Sequence, residues 1–528
     1  MKYLLISAIC FLSIPGYGQS KKFTFKLGTE YDLPRKSEDL SLFGNDKDGI
    51  VNLSLKKDEL NISRFNAKNL TQTSETTIEI DKLSKRFSSE IVADFGTNYF
   101  WLYSDYDKKE GKKLLFFDKI DVAAGKITSS ENKLLETANM ASTGIFYAYR
   151  EDNNYGFNYD AAKTKLLVNY RLVPEEKKDK KSFDIIGLHV FDENLKKIWG
   201  NEFTMPYTEA MMNNSDFSVD GNGNAYMLAK VYDSEKRKEL DKETGKAGYH
   251  YEVLKFTRDS KKIINTTITI GDYFIREASL VENSLHEMVI ACTYGKKSSN
   301  ATDGIFLSTM DQSGKINKFK NGYYEFPLAE LQKFESARTK RSMEKKADYE
   351  VPDIKVRNVV VEGDGSVLIV CEQYHVVSHT YTSTTGTTRT TYTYYYEDII
   401  ASKINNGGNF EWVRKVPKLQ MGTKGQGTLG FKLVSDASGY YFLYLDNKKN
   451  MELQEDETPK YHVDGYGGQV VVASISNSGE MKKELLFDTR EEDIMIFPSQ
   501  FTKINGNQFI GRASMKRGDY KPLLITVK

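Results

Sequence analysis

The chain has 528 residues, 39% hydrophobic and 28% charged, with 74 Lys+Arg against 73 Asp+Glu. Balanced charge argues against a nucleic-acid binder, which needs a basic excess to neutralise phosphates. Ten prolines and 33 tyrosines argue against disorder and for a β-rich fold. A chain this long is either three or four ordinary domains or one repeat whose core grows unit by unit.

Lys2 precedes an apolar run, Leu4 to Leu12, and then Pro15-Gly-Tyr-Gly18-Gln19. This pattern reads as a secretory signal peptide over residues 1–18, cut after Gly18, with 19–528 as a single exported domain of zero formal charge. The run is shorter than the roughly 18 residues of a spanning helix. A lipoprotein reading on Cys10 is disfavoured by the bulky Ile9 before it. No later stretch is apolar and long enough to span a membrane.

Further along, one unit recurs. Phe217-Ser-Val, a turn at Asp220-Gly-Asn-Gly-Asn224, Ala225–Val231, Tyr249–Phe256 and Lys262–Ile270 make four strands, the last alternating with period 2. Glycine, asparagine and aspartate sit at the tight turns because these need φ > 0 or local side-chain hydrogen bonds. Similar units fall near 40–82, 88–137, 145–206, 215–271, 274–326, 354–418 and 429–488. The tail supplies three more strands, and Lys22–Leu27 can be their fourth. The expected fold is an all-β propeller of four-stranded antiparallel blades. It has eight blades, or seven as the alternative, and is closed by the N-terminal strand.

With strands A to D in each unit, the A–B and C–D turns emerge on one face and the B–C and D–A connections on the other. The long charged segments 174–181, 233–247 and 446–468 are B–C loops. A helix is expected over about 328–343, with Leu328, Leu331 and Phe334 at helical spacing, and another over 205–212. All these insertions share one face, and loops on a rigid scaffold are where binding usually resides. On that face a Thr/Tyr-rich hairpin is expected over about 376–398, turning near Gly386. It is either a decorated hairpin packed on a neighbouring loop or a contact surface made by Tyr381, Arg389, Tyr392, Tyr394, Tyr395 and Tyr396.

Tyr392-Thr-Tyr-Tyr-Tyr-Glu-Asp-Ile-Ile, Asn406-Gly-Gly-Asn-Phe-Glu-Trp412 and Lys415-Val-Pro-Lys418 resemble a stretch of uncharacterised secreted β-propeller-like proteins of Bacteroidetes-type bacteria. The Gly18-Gln19 junction is similar to their signal-peptide endings. The resemblance implies an origin and a fold, and carries no activity.

Cys292 and Cys371 each stand fifth in a similar apolar strand, which favours buried free thiols over a disulfide. His375 and His379 have a spacing that binds metal on a helix, but on a strand they stand roughly 13 Å apart. Asp220–Asn224 resembles the start of a calcium loop, yet Val231 stands where a bidentate Glu is required. Glu491-Glu492-Asp493 reads as solvated loop charge. No phosphate loop, nucleophile elbow or zinc arrangement is present, so no cofactor, metal or catalytic residue is assigned. The expected function is an exported, non-enzymatic scaffold at the bacterial cell envelope that binds a protein or peptide through its loop-rich face. The alternative is a carbohydrate-binding or carbohydrate-cleaving propeller with Trp101, Trp199 and Trp412 as stacking faces, although Trp199 and Trp412 also fit blade packing.

Overall fold

Strands Met288–Gly295 and Gly439–Asp446 are buried at every position, whereas Gln72–Glu79 and Ser260–Ile268 are largely exposed. Such a gradient arises when sheets stack face to face. The second strand of each unit is then covered on both sides, and the fourth lies at the rim. The computed structural model describes residues 20–138, 140, 155–173, 181–297, 299–346, 348–382, 386–516 and 518–528. The expected signal peptide, the charged segment 174–180 and the hairpin tip 383–385 lie outside them.

The described residues form eight sheets of four or more strands. Seven cover 38–79, 88–138, 156–208, 212–268, 274–325, 354–416 and 431–488, and the last joins 494–527 to Phe23–Leu27. Their antiparallel strands pair in sequence order from the inner strand outward, and a separate apolar cluster fills each gap between consecutive sheets. Leu53 and Trp101 meet between the first two sheets, Ile290 and Tyr251 between the fourth and fifth, and Ile50 and Leu524 between the last and the first. The fold is a β-propeller.

Ring closure is non-covalent. Phe23–Leu27 pairs antiparallel with Tyr520–Val527, Phe23 opposite Val527, and the Lys528 amide donates to the Lys22 carbonyl at 2.7 Å. Phe23 is buried against Tyr441, and Phe25 packs on Phe487. Cys292 and Cys371 are free and buried in different inter-sheet clusters.

Five of the inner strands carry a β-bulge, at Leu40, Glu90, Ser215, Arg276 and Arg357. A bulge bends its strand and re-aims the next side chains. In the fourth sheet this sends Asp216 sideways to accept from the Leu280 amide at 2.9 Å. In the fifth, Glu277 accepts from the Val356 amide at 2.8 Å. Neighbouring inner strands are thereby tied together by carboxylates.

Two expected helices are corrected. The segment 328–343 forms two short helices, α1 (Leu328–Leu331) and α2 (Ala337–Glu344). Between them Phe334 adopts φ 60°, buries its ring and donates its amide to the Glu455 carbonyl at 2.7 Å, and Ser336 caps α2. Residues 205–212 are not helical: strand Lys197–Thr208 runs through Met205 and Pro206, and the next inner strand starts at Met212. Pro206 is tolerated because this strand is the outermost of its sheet, where a missing amide breaks no ladder.

Two buried histidines set an acid limit. Burial, reinforced by the charge of Lys197, pulls His189 down to about 3, and burial pulls His462 down to about 4. Both lie below the unfolded value near 6.5. The unfolded chain therefore takes up these protons first, and stability is lost as pH falls below that value. Burial raises Asp118 to about 6, which offsets one histidine at lower pH. The hydrogen bond to Glu252 raises His250, which offsets a further part in the same window, so denaturant unfolding at pH 5 should show about 1–2 kcal/mol less stability than at pH 7. Equal stability at the two pH values would mean that the imidazoles are not held neutral.

Candidate functional site

The connections segregate by face. A–B and C–D turns are short throughout the described residues. The opposite face carries 233–248, 447–468, the paired helices and the glycine-rich connection 417–430. From it rises the hairpin. Strand Val367–Thr382 is buried through Glu372, where a register shift before Tyr374 ends the blade. Beyond that point the pairing continues from Tyr374 opposite Tyr396 to Thr382 opposite Thr388. Hydroxyl pairs Thr380–Thr390 and Thr382–Thr388, at 2.9 and 3.1 Å, ladder its outer end. Strand Gln420–Gly422 pairs with Tyr394–Tyr396, and His462–Val463 adds parallel to it, so the hairpin base is one edge of a second small layer.

The six residues expected to make one surface do not share one. Alternation puts Tyr392, Tyr394 and Tyr396 on one face and Tyr381, Arg389 and Tyr395 on the other. Tyr381 and Tyr392 are 50% and 45% exposed. Tyr394 and Tyr395 are half-buried, and Tyr395 lies between His375, stacked at 4.6 Å, and Tyr461. Tyr396 is buried and is corrected from a surface residue to an anchor. It packs on Tyr374, and both rings lie over the Arg357 guanidinium.

Sequence reasoning missed Tyr461, Val463 and Tyr466, which extend the exposed apolar surface from the hairpin onto the loop of the seventh sheet. The alternation Tyr461-His462-Val463, with only His462 buried, was the available signal. Leu83, Val173 and Leu328 are also exposed on this face, whereas Leu285 is the exposed large apolar side chain on the opposite turns. Trp101, Trp199 and Trp412 are all buried. Trp199 donates to the Gly223 carbonyl at 2.6 Å and Trp412 to Asn477 at 3.0 Å, each tying one sheet to the next. The expected stacking faces for a sugar are therefore blade packing.

Below the hairpin lies an ion network that the sequence did not suggest. Lys418 is fully buried, with its ammonium 2.8 Å from Glu372, and the Arg357 Nε donates to the same carboxylate at 2.7 Å. Lys415 lies 2.9 Å from Asp398 and 2.7 Å from Glu335, joining the helical insertion to the sheet. Burial pulls the Lys418 ammonium below the ordinary lysine range despite Glu372. Burial opposes the charge of Lys415 too, but Asp398 and Glu335 outweigh it and raise its pKa. Glu372 directly follows the apolar run Val367–Cys371, and a charge continuing such a run was the legible trace of this network.

No helix among the described residues is long and apolar enough to cross a membrane, and none of their His, Cys, Asp and Glu side chains gather into a group able to hold a metal. No protein-family model matches the chain, and no curated protein matches it. Among solved structures it is similar to the Dos1 propeller, at 8% identity over 94% of each chain with a TM-score of 0.41. It is also similar to the polysaccharide lyase Uly1, at 9% identity over 96% of this chain and 98% of that one, TM-score 0.35. In a structure from an analysis of two prolyl endopeptidases, 96% of this chain matches at 9% identity and TM-score 0.38, and it spans 55% of that chain.

Proposed function

We propose that the protein is exported and serves at the bacterial cell envelope as a non-enzymatic scaffold, holding a protein or peptide partner on its loop-rich face. A kinship with secreted propeller-like proteins of Bacteroidetes-type bacteria belongs to the same proposal. The supporting observation is the concentration of exposed tyrosines on the hairpin and the adjoining loop. Tyrosine offers large rigid area with a polar tip, and exposed aromatic clusters mark interaction sites. The sugar-binding alternative loses its tryptophans to the core and has no comparable support.

The hairpin's two faces make the test specific. Tagged wild-type protein and the variants Tyr381→Ala and Tyr392→Ala are used to recover partners from the envelope fraction. One variant should lose at least about tenfold in partner affinity while the other keeps it, identifying the contact face. Both should melt like wild type, since both rings are half-exposed. Full partner recovery by both variants would sink the hairpin's role.

A further inference from the structure

A polar cleft opens between the inner strands of the sixth, seventh and eighth sheets. Arg357 and Asn358 lie on Ile354–Val361, Lys432 is the second residue of Phe431–Asp436, and Ser499 lies where the eighth inner strand is interrupted. Gln426, from the glycine-rich connection, and Glu372 complete the polar lining of a space of about 250 Å³. With a water's share of liquid volume near 30 Å³, that space is several waters large.

Its wall is preformed. Asp464 accepts from the Thr428 amide at 2.8 Å, and buried Gln420 accepts from the Gly430 amide at 2.8 Å. Gly427 has φ 48° and leaves no space for a Cβ beside the Asp464 carboxylate, so the connection is fixed where it borders the cleft. Arg357 is the extra residue of a bulge, the device that re-aims a side chain. Its Nε is committed to Glu372, while its two Nη nitrogens make no hydrogen bond among the described residues.

Of the two cations that line the cleft, one stands outside the ion pairs. Glu372, Asp398 and Glu335 pair with Arg357, Lys418 and Lys415. Lys432, half-buried beside them, has no acidic partner among the described residues. Burial, with the charge of Lys163, holds its ammonium below the ordinary lysine range. A desolvated cation without a counter-charge is costly, and an anion in the cleft would relieve that cost.

We propose that this cleft binds a small organic monocarboxylate, with its carboxylate on Lys432 and the free side of Arg357 and its hydroxyl or amide groups on Asn358, Gln426 and Ser499. A monoanion matches the one lining cation without an acidic partner, and the nearby Glu372 carboxylate disfavours a dianion. A sugar acid and the C-terminal residue of a peptide both carry this chemistry. The proposal does not rest on the hairpin's protein-binding role.

Calorimetric titration of the purified full-length protein tests it. The probes are galacturonate and N-acetyl-glycylglycine, with galactose, the amidated dipeptide and inorganic phosphate as comparisons. At least one acid should bind one-to-one with a dissociation constant on the order of a millimolar or tighter, and its uncharged counterpart should not. Galacturonate alone would identify a sugar acid, and the dipeptide acid alone a peptide terminus. Lys432→Met should lose about tenfold or more in affinity, Lys432→Arg should retain it, and Lys432→Met should melt no lower than wild type. Absence of binding by both acids, unchanged affinity in Lys432→Met, or tighter binding of phosphate than of either acid would each overturn the proposal.

Discussion

Replacing Lys418 with alanine should cost about 3–5 kcal/mol of stability, because it leaves the Glu372 carboxylate buried with half of its compensation gone. Lys418 and Glu372 are 0% and 1% exposed, and the orphaned charge meets water only where Glu372 borders the cleft. Arg357 reaches Glu372 through Nε alone and must also support the rings of Tyr374 and Tyr396. The double variant Lys418→Met, Glu372→Leu should recover part of the loss, since apolar replacements of a buried ion pair are commonly neutral or stabilising, the remainder being the cost of leaving Arg357 without its carboxylate. Urea unfolding of the single and double variants provides the cycle. A loss below about 1 kcal/mol in Lys418→Ala would place the pair with solvent-screened surface bridges. The network also underlies the hairpin base, so proteolysis in the hairpin should quicken in the single variant and not in the double one.

Removing residues 20–28 should be equally damaging. It strips the outermost strand from the eighth sheet and uncovers Tyr520–Val527, whose Leu523-Leu-Ile525 is buried in the intact ring. The burial of Phe23, Phe25 and Leu27 together contributes on the order of 5 kcal/mol. The exposed apolar edge should then recruit other chains. A large fall in melting temperature with concentration-dependent light scattering is the expected result. Phe23→Ala, which keeps the strand but removes its buried ring, should cost about 3–5 kcal/mol without exposing the edge. A truncated protein that melts with the intact one would mean that the ring does not depend on its N-terminal strand.

Which parts of this molecule were legible in its sequence follows from the range of the forces involved. Blade strands and turns declare themselves locally. Ile264, Thr266 and Ile268 alternate along a strand, and Asp220 accepts from the amides of Gly223 and Asn224 within its own turn. The break at Phe334 is set by the Glu455 carbonyl, far away in sequence, so helical spacing alone suggests one helix where two form. Met205 and Met212 are spaced like a helical stripe, but their burial comes from a strand and the inner strand after it. At the candidate site the tyrosines are plain, and period-2 alternation already assigns Tyr392 and Tyr395 to opposite faces. The burial of Tyr396 depends on Gln420–Gly422 pairing across it, and the cleft depends on three sheets meeting, which no local pattern encodes.

The pairing of Phe23–Leu27 with Tyr520–Val527 also sets a timetable. The strand that completes the ring is among the first parts of the described chain to emerge from a ribosome, and its partner is among the last. Seven sheets can be built while Phe23, Phe25 and Leu27 wait as an unpaired apolar segment. The final step then joins ends separated by nearly the whole sequence, the kind of contact that slows folding and prolongs exposure to aggregation. Closure thus waits for both ends of the propeller, and a propeller interrupted before Tyr520–Val527 remains an open arc.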